Sequence, residues 1–221
     1  MDLVDAYNAS VGGRTHIVYV LDQSGSMKPV EEQTISGFNE QVQMLKSEQA
    51  NNNVSVSLIK FNHTVNPVFL SESLDSLQEL TSESYKPNGG TAMYDAVGYA
   101  IEHIKSLSGN ENDSILVTII SDGEENSSKE YTQNRLAELI QQCNSSNKWT
   151  FAYMGANQDL SKISENLNIK IGNMASYTND VLGTKDAFTT MSCATKGYMR
   201  GRADGQSATL SFYDPDSATD E

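Results

Sequence analysis

Three runs of almost unbroken apolar residues stand out along this chain: His16-Ile17-Val18-Tyr19-Val20-Leu21, Ser114 to Ser121, and Trp149 to Met154, the last closed by Gly155. Runs of this length without polar alternation predict strands covered on both faces, as in a central parallel sheet. Between them the apolar spacing changes to three and four residues, the period of an amphipathic helix. Val30, Thr34, Phe38, Val42 and Leu45 predict a helix from Pro29 to about Gln49, ended by Asn51-Asn52-Asn53. Pro29 suits a first helical turn because its φ is fixed and it has no N–H to leave unpaired. Met93, Val97, Ala100, Ile101, Ile104 and Leu107 mark a second helix, and Leu136, Leu139, Ile140 and Cys143 a third over Lys129 to Cys143. A last helix runs from Asp180 to Met199 and is expected to bury Leu182, Phe188, Met191 and Tyr198.

The shorter pieces complete the order. Val54, Val56, Leu58 and Phe61 read as a strand. Asn62-His63-Thr64 turns it, with His63 as a turn residue, into Val65 to Leu70. Pro67 removes a ladder donor from that second strand and so assigns it to an edge. A short helix is expected around Leu74 to Leu80, another near Leu160 to Leu167, and a small strand at Ile169 to Ile171. Buried strands alternating with helices predict an α/β fold: a doubly wound, mostly parallel central sheet with one antiparallel edge hairpin and helices on both faces. The organisation expected is a polar lead-in over 1–14, one domain over 15–203, and an acidic tail over 204–221. The tail has five acids and no base, and Asp214 to Glu221 is expected to be disordered.

Composition narrows the partners. The 221 residues are 38% hydrophobic, enough for one substantial core. There are 29 acids against 15 bases, a net charge of −14. That balance argues against nucleic acid and against an anionic membrane as partner, and suits a protein that attracts cations. Cys143 and Cys193 both fall in apolar helical patterns and are read as core, with a disulfide between them left open; no Cys or His cluster suggests zinc. The first ten residues are polar and acidic, with no basic segment leading an apolar one, and no stretch reaches membrane-spanning length, so a cytoplasmic protein is expected.

Candidate chemistry lies where predicted strands end. After the first strand, Asp22, Ser24 and Ser26 offer a carboxylate and two hydroxyls on alternate residues, which in extended backbone share one side. These hard oxygens suit a hard divalent cation, with an Asx-type turn as the alternative. Gly89-Gly90-Thr91 precedes a helix; Thr91 is a natural N-cap, and the loop lacks the lysine and spacing of a phosphate-binding motif. Asp122-Gly123-Glu124-Glu125 follows the second long strand. In doubly wound sheets, ligands bind beyond the carboxyl ends of the strands where the strand order reverses. Three separate segments are therefore expected to bring Asp22, Ser24, Ser26, Thr91 and Asp122 to one spot.

Asp22-x-Ser24-x-Ser26, Gly90-Thr91 and Ser121-Asp122-Gly123 together resemble the metal-ion-dependent adhesion site of von Willebrand factor A domains, over roughly His16 to Arg200, with a flavour similar to short bacterial or phage members. The resemblance implies a Mg²⁺ site, with Mn²⁺ or Ca²⁺ as alternates. It implies that Ser24 and Ser26 ligate directly, Thr91 directly or through water, and Asp22 and Asp122 mainly through water. It also implies a sixth position open to a carboxylate from a protein partner. Gln23, Gly90, Tyr94 and Glu124 are the rim expected to meet that partner, while Glu125 and Asp95 read as favourable helix-start charges. The function expected is a metal-dependent protein-interaction module. The alternative is a metal-dependent hydrolase or phosphoesterase on the same site, against which stands the lack of a His, Lys or Cys placed as base or nucleophile. A nucleotide-binding domain is disfavoured by the missing glycine-rich fingerprints.

Overall fold

The computed structural model describes residues 13–47 and 53–213. Most of the expected lead-in, the asparagine run that ends the first helix, and the acidic stretch from 214 onward lie outside the described residues. Six strands form one sheet: β1 (Thr15–Asp22), β2 (Val54–Phe61), β3 (Val65–Ser73), β4 (Ser114–Ser121), β5 (Trp149–Ala156) and β6 (Met174–Tyr177), in the order β3-β2-β1-β4-β5-β6. Every neighbouring pair is parallel except β2 with β3. The helices are α1 (Glu31–Ser47), α2 (Met93–Leu107), α3 (Gln133–Asn144), α4 (Leu160–Leu167) and α5 (Val181–Ala203). This is the expected doubly wound sheet with an antiparallel hairpin at one edge.

The side-chain period of a strand, two residues, divides the apolar runs between two cores. Ile17, Tyr19 and Leu21 point to the face covered by α1 and α5, among Phe38, Leu45, Phe188 and Met191. Val18 and Val20 point to the other, among Val97, Ile101, Ile104 and Ile140 of α2 and α3. Because both faces are covered, β1, β4 and β5 are buried along their whole length. After β1 the chain builds β2 and β3 to one side, then crosses to β4, β5 and β6 on the other. The strand order thus reverses between β1 and β4, and the loops after these two strands flank the resulting crevice.

Several local expectations are corrected. Ile169 to Ile171 is not a strand. Asn168 leaves α4 in the left-handed region (φ 55), Ile169 plugs the α2/α3 core, and Ile171–Asn173 is a 3-10 turn; the chain joins the sheet only at Met174. Buried Asn173 fixes this turn from within, donating to the Thr209 carbonyl (3.0 Å) and accepting from Phe212 N–H (2.8 Å). Leu182 is 74% exposed rather than buried. The buried stripe of α5 runs through Thr184, Phe188, Met191, Thr195 and Tyr198, and Leu182 lies two residues off it. Cys193 is exposed for the same reason, two residues from Met191, while Cys143 is buried; both thiols are free.

Boundaries also shift. Pro29 sits in a 3-10 turn, Gly25–Val30, that precedes α1. The helix around Leu74 to Leu80 is reduced to a 3-10 turn at Leu74–Ser76. Helix α3 begins at Gln133, behind Thr132, whose hydroxyl accepts from Arg135 N–H (3.3 Å). After α5 the chain returns to the sheet: Thr209 N–H donates to Thr150 Oγ1 (2.9 Å), and Phe212 is buried edge-on to Tyr198. Among the described residues no helix is long and apolar enough to cross a membrane.

Two substitutions separate core from surface. Phe38 is fully buried, with its ring 5.6 Å from that of Tyr19 in edge-to-face contact. Phe38→Ala is expected to lower the unfolding free energy by about 3–5 kcal/mol in urea titration. Leu182→Gln should change it by no more than about 0.5 kcal/mol. A large loss at Leu182 would mean that this end of α5 is covered.

Candidate metal centre

The carboxyl end of β1 is tied down before it reaches solvent. Asp22 has no exposed surface. Its backbone carbonyl accepts from the buried Tyr85 hydroxyl (2.6 Å), and its carboxylate accepts from Ser24 N–H (2.7 Å) and from the Ser121 hydroxyl (2.6 Å) at the end of β4. Burial pushes the Asp22 carboxyl up to about 6, against the opposing pull of the Ser121 and Ser24 hydrogen bonds. Ser24 remains extended (φ −68, ψ 169), so the alternation expected from the sequence holds this far. Ser26, however, lies in the 3-10 turn. That tight turn, and not strand alternation, brings its hydroxyl 3.0 Å from that of Ser24.

Asp122, the residue just past β4, closes the chain of oxygens. Its Oδ1 accepts from the Ser26 hydroxyl (2.7 Å), and its Oδ2 from the side-chain amide of Asn179 (2.6 Å), which also reaches the Ser26 carbonyl (3.4 Å). Burial raises the Asp122 carboxyl as well, and the Ser26 and Asn179 hydrogen bonds oppose it. Thr91 arrives from the third segment. Its N–H donates to Asn126 Oδ1 (2.9 Å), and its carbonyl accepts from the N–H groups of Asn126 (3.0 Å) and Ser127 (3.1 Å). A Cβ built on Gly123 would stand 3.3 Å from Thr91 Oγ1 and 3.4 Å from Ser26 Oγ. The two hydroxyls therefore face each other across the space that a glycine leaves open.

Thr91 does not cap α2, contrary to the alternative its position suggested. The N-cap position is Ala92, which has no side chain to offer. The first turn is instead served from the loop after β4: the Glu125 carboxylate accepts from Tyr94 N–H (3.0 Å) and the Ser128 hydroxyl from Asp95 N–H (3.1 Å). Asp95 in return takes the N–H groups of Lys129, Glu130 and Tyr131. Glu125 and Asp95 thus brace α2 and the β4–α3 loop against each other and stay out of the oxygen cluster. This exchange leaves the Thr91 hydroxyl uncommitted to the helix.

The loop before Thr91 is pinned to the β1 loop by main-chain bonds, Gly25 N–H to the Gly89 carbonyl (3.0 Å) and Asn88 N–H to the Gln23 carbonyl (3.0 Å). Gly89 has φ +72, a conformation that disfavours a side chain, and a Cβ there would also collide with the His63 imidazole. Of the rim residues, Gln23 turns its amide inward to the Lys86 carbonyl (2.9 Å) and Gly90 is half-buried against Asn126 and Ser127. Tyr94 is half-buried and Glu124 is exposed. Sequence reasoning missed Asn179, Ser121 as a partner of Asp22, Tyr85, and Gln158, whose amide donates to the Gly123 carbonyl (2.8 Å). Nothing in their local sequence distinguishes them, since each acts across at least 35 residues.

As chemistry, the cluster offers three hydroxyls and two carboxylates on one side of a sheet edge. Among the described residues no three His, Cys, Asp or Glu side chains gather as a metal site, here or elsewhere, so the hydroxyls would have to supply ligands. Neutral oxygens backed by two carboxylates fit a hard divalent cation that keeps part of its water shell.

Similarity to known proteins follows the geometry. A family model described as the von Willebrand factor type A domain matches residues 16–184. No curated protein matches the sequence. Among solved structures, the von Willebrand factor domain of the type V pili tip protein Mfa5 from Porphyromonas gingivalis superposes with a TM-score of 0.60 at 12% identity, over 85% of this chain and 96% of that one. A von Willebrand factor type A protein from Catenulispora acidiphila gives 0.54 at 15% identity, over 84% of this chain but only 43% of its own. The manganese-loaded TRAP protein of Plasmodium vivax gives 0.54 at 16% identity, over 79% and 71% of the two chains. With three-quarters of its length matched by the family and the strand order, switch point and flanking helices in agreement, this chain belongs to the von Willebrand factor type A domain family.

Proposed function

We propose that the chain is a divalent-metal-dependent protein-interaction module. Asp22, Ser24, Ser26, Thr91 and Asp122 would hold the ion, Mg²⁺ first with Mn²⁺ or Ca²⁺ as alternates, and a partner would supply an aspartate or glutamate to it. The observation that carries this reading is the meeting of three hydroxyls and two carboxylates from three loops around Gly123, where no side chain fills the space. An ion there would supply a positive charge to which an incoming carboxylate binds. Two carboxylates of the chain balance its double charge while the hydroxyls leave it electrophilic. The manganese carried by TRAP and the pilus role of the Mfa5 tip protein add support from similar folds.

The hydrolase alternative has less behind it. Ser24 and Ser26 bond to each other and Ser26 to Asp122, and among the described residues no His, Cys or Lys hydrogen-bonds to any of these five side chains. His63 packs on Gly89 at the margin and lacks a hydroxyl to activate.

Asp22→Asn and Asp122→Asn should each abolish Mg²⁺ binding in calorimetric titration while far-UV circular dichroism stays native. Ser24→Ala should weaken binding by about 1–3 kcal/mol through loss of one oxygen. Unchanged Mg²⁺ affinity in both Asp variants would sink the assignment. Gly123→Ala should also weaken binding, because its methyl would stand against Thr91 Oγ1 and Ser26 Oγ; an unaffected affinity would mean the ion lies elsewhere.

The pH dependence has opposite signs with and without metal. In the metal-free fold, Asp22 holds its proton up to about 6, whereas the unfolded chain loses it near 3.8. The folded state binds more protons in that window, so metal-free stability falls as pH rises from about 4 to about 6. Asp22→Asn in chelator should therefore stabilise the protein at neutral pH, by on the order of 1–3 kcal/mol. The ion needs the carboxylate, so its affinity should fall as pH drops through about 6, with protons released on binding. Titrations in buffers of different ionisation enthalpy read that release directly; its absence at pH 6 would contradict a buried, protonated Asp22.

A further inference from the structure

Beside the metal centre the surface opens into a groove of about 530 Å³ between the loop after β4, the start of α2 and helix α4. Asp122 forms part of its wall, so the groove begins where the candidate ion site ends. Its lining holds four carboxylates, those of Asp122, Glu124, Glu125 and Asp159, against one ammonium, Lys162. Three of the four are already engaged. Asp122 belongs to the metal centre, Glu125 takes N–H and hydroxyl donors from Tyr94, Ser127 and Ser128, and Asp159 caps α4 through Lys162 N–H (3.2 Å). Glu124 is exposed and makes no hydrogen bond among the described residues. Tyr94 contributes the accessible aromatic surface, while Tyr153 underlies the groove fully buried, its hydroxyl donating to Gln158 Oε1 (2.5 Å).

A negative groove with the Tyr94 ring in its wall selects a cationic occupant. Charge attraction favours it, ring faces stabilise guanidinium or ammonium groups, and Glu124 supplies a carboxylate not yet paired. The same field repels an acid everywhere except at the ion. We propose that this groove receives an arginine or lysine of the partner, close in sequence to the acid that meets the metal, because Asp122 belongs both to the metal centre and to the groove wall. This rests on the carboxylate reading above and deepens it. The ion takes the acid, the groove takes the base, and the partner segment is thereby oriented across the site.

The test is selection from a display library of short random peptides with one fixed central aspartate, on the full chain in Mg²⁺. Parallel selections use chelator, a library with asparagine fixed instead, and the variants Glu124→Lys and Glu124→Gln. Wild type should enrich arginine and lysine near the aspartate about threefold or more. Glu124→Gln should reduce that enrichment, and Glu124→Lys should abolish it or shift it to acidic residues. Binding that needs both Mg²⁺ and the aspartate but shows no basic preference, or favours apolar residues there, overturns the groove proposal and leaves the carboxylate reading standing. A basic preference unaffected by both Glu124 variants also overturns it. Peptide recovery independent of Mg²⁺ and of the aspartate overturns the carboxylate reading, and the groove proposal with it.

Discussion

The buried carboxylate of Asp22 is the constraint to which the rest of the site answers. A charged group with no exposed surface costs several kcal/mol in lost hydration unless it is compensated. Two hydrogen bonds compensate in part, and a second, half-buried carboxylate, Asp122, stands at the other end of a short chain of hydroxyls through Ser24 and Ser26. Among the described residues no basic side chain pairs with either one, and the ion pair there is Lys28 with Glu31. The protein thus carries a local deficit of positive charge at the carboxyl ends of β1 and β4, and a divalent cation, as proposed above, would correct it without rearranging the core.

What makes the deficit tolerable is the scaffold around it. The strand ends of β1 and β4 emerge from two fully apolar layers, so the polar cluster begins only where packing stops. The three loops hold one another by main-chain bonds, Gly25 to Gly89, Asn88 to Gln23, and Asn126 and Ser127 to Thr91. Such bonds do not depend on side-chain identity, which leaves the side chains free to carry chemistry. Asn179, the residue before the α5 N-cap Asp180, donates to Asp122 Oδ2 and to the Ser26 carbonyl, so the candidate metal centre and the last helix share a boundary.

Much of this was legible in the sequence because it rests on period and position. Double burial of β1 and β4 follows from their unbroken apolar runs, and Pro67 correctly marked an edge. The candidate oxygens were legible because each stands within a few residues of the end of a recognisable strand or the start of a recognisable helix. The failures share a different cause. Leu182 and Cys193 are apolar residues two positions off the buried stripe of α5, which composition cannot distinguish from core. Ile169 is buried, as expected of a strand residue, but as a plug between helices. Thr91 looked like a cap because its true competitors, Glu125 and Ser128, lie more than thirty residues away and meet α2 only in the fold.

That remote cap bears on how the chain comes together. A helix closed by its own preceding residue can mature as soon as it leaves the ribosome, but α2 takes its first-turn acceptors from residues 31 and 33 positions later. Until Glu125 and Ser128 are in place, the first turn of α2 lacks these two acceptors. Thr91, two residues ahead of that helix, is held by Asn126 and Ser127 of the same remote loop. The candidate oxygen cluster likewise depends on contacts far apart in the chain, up to the 153 positions between Ser26 and Asn179, so it closes only with the long-range order of the whole domain.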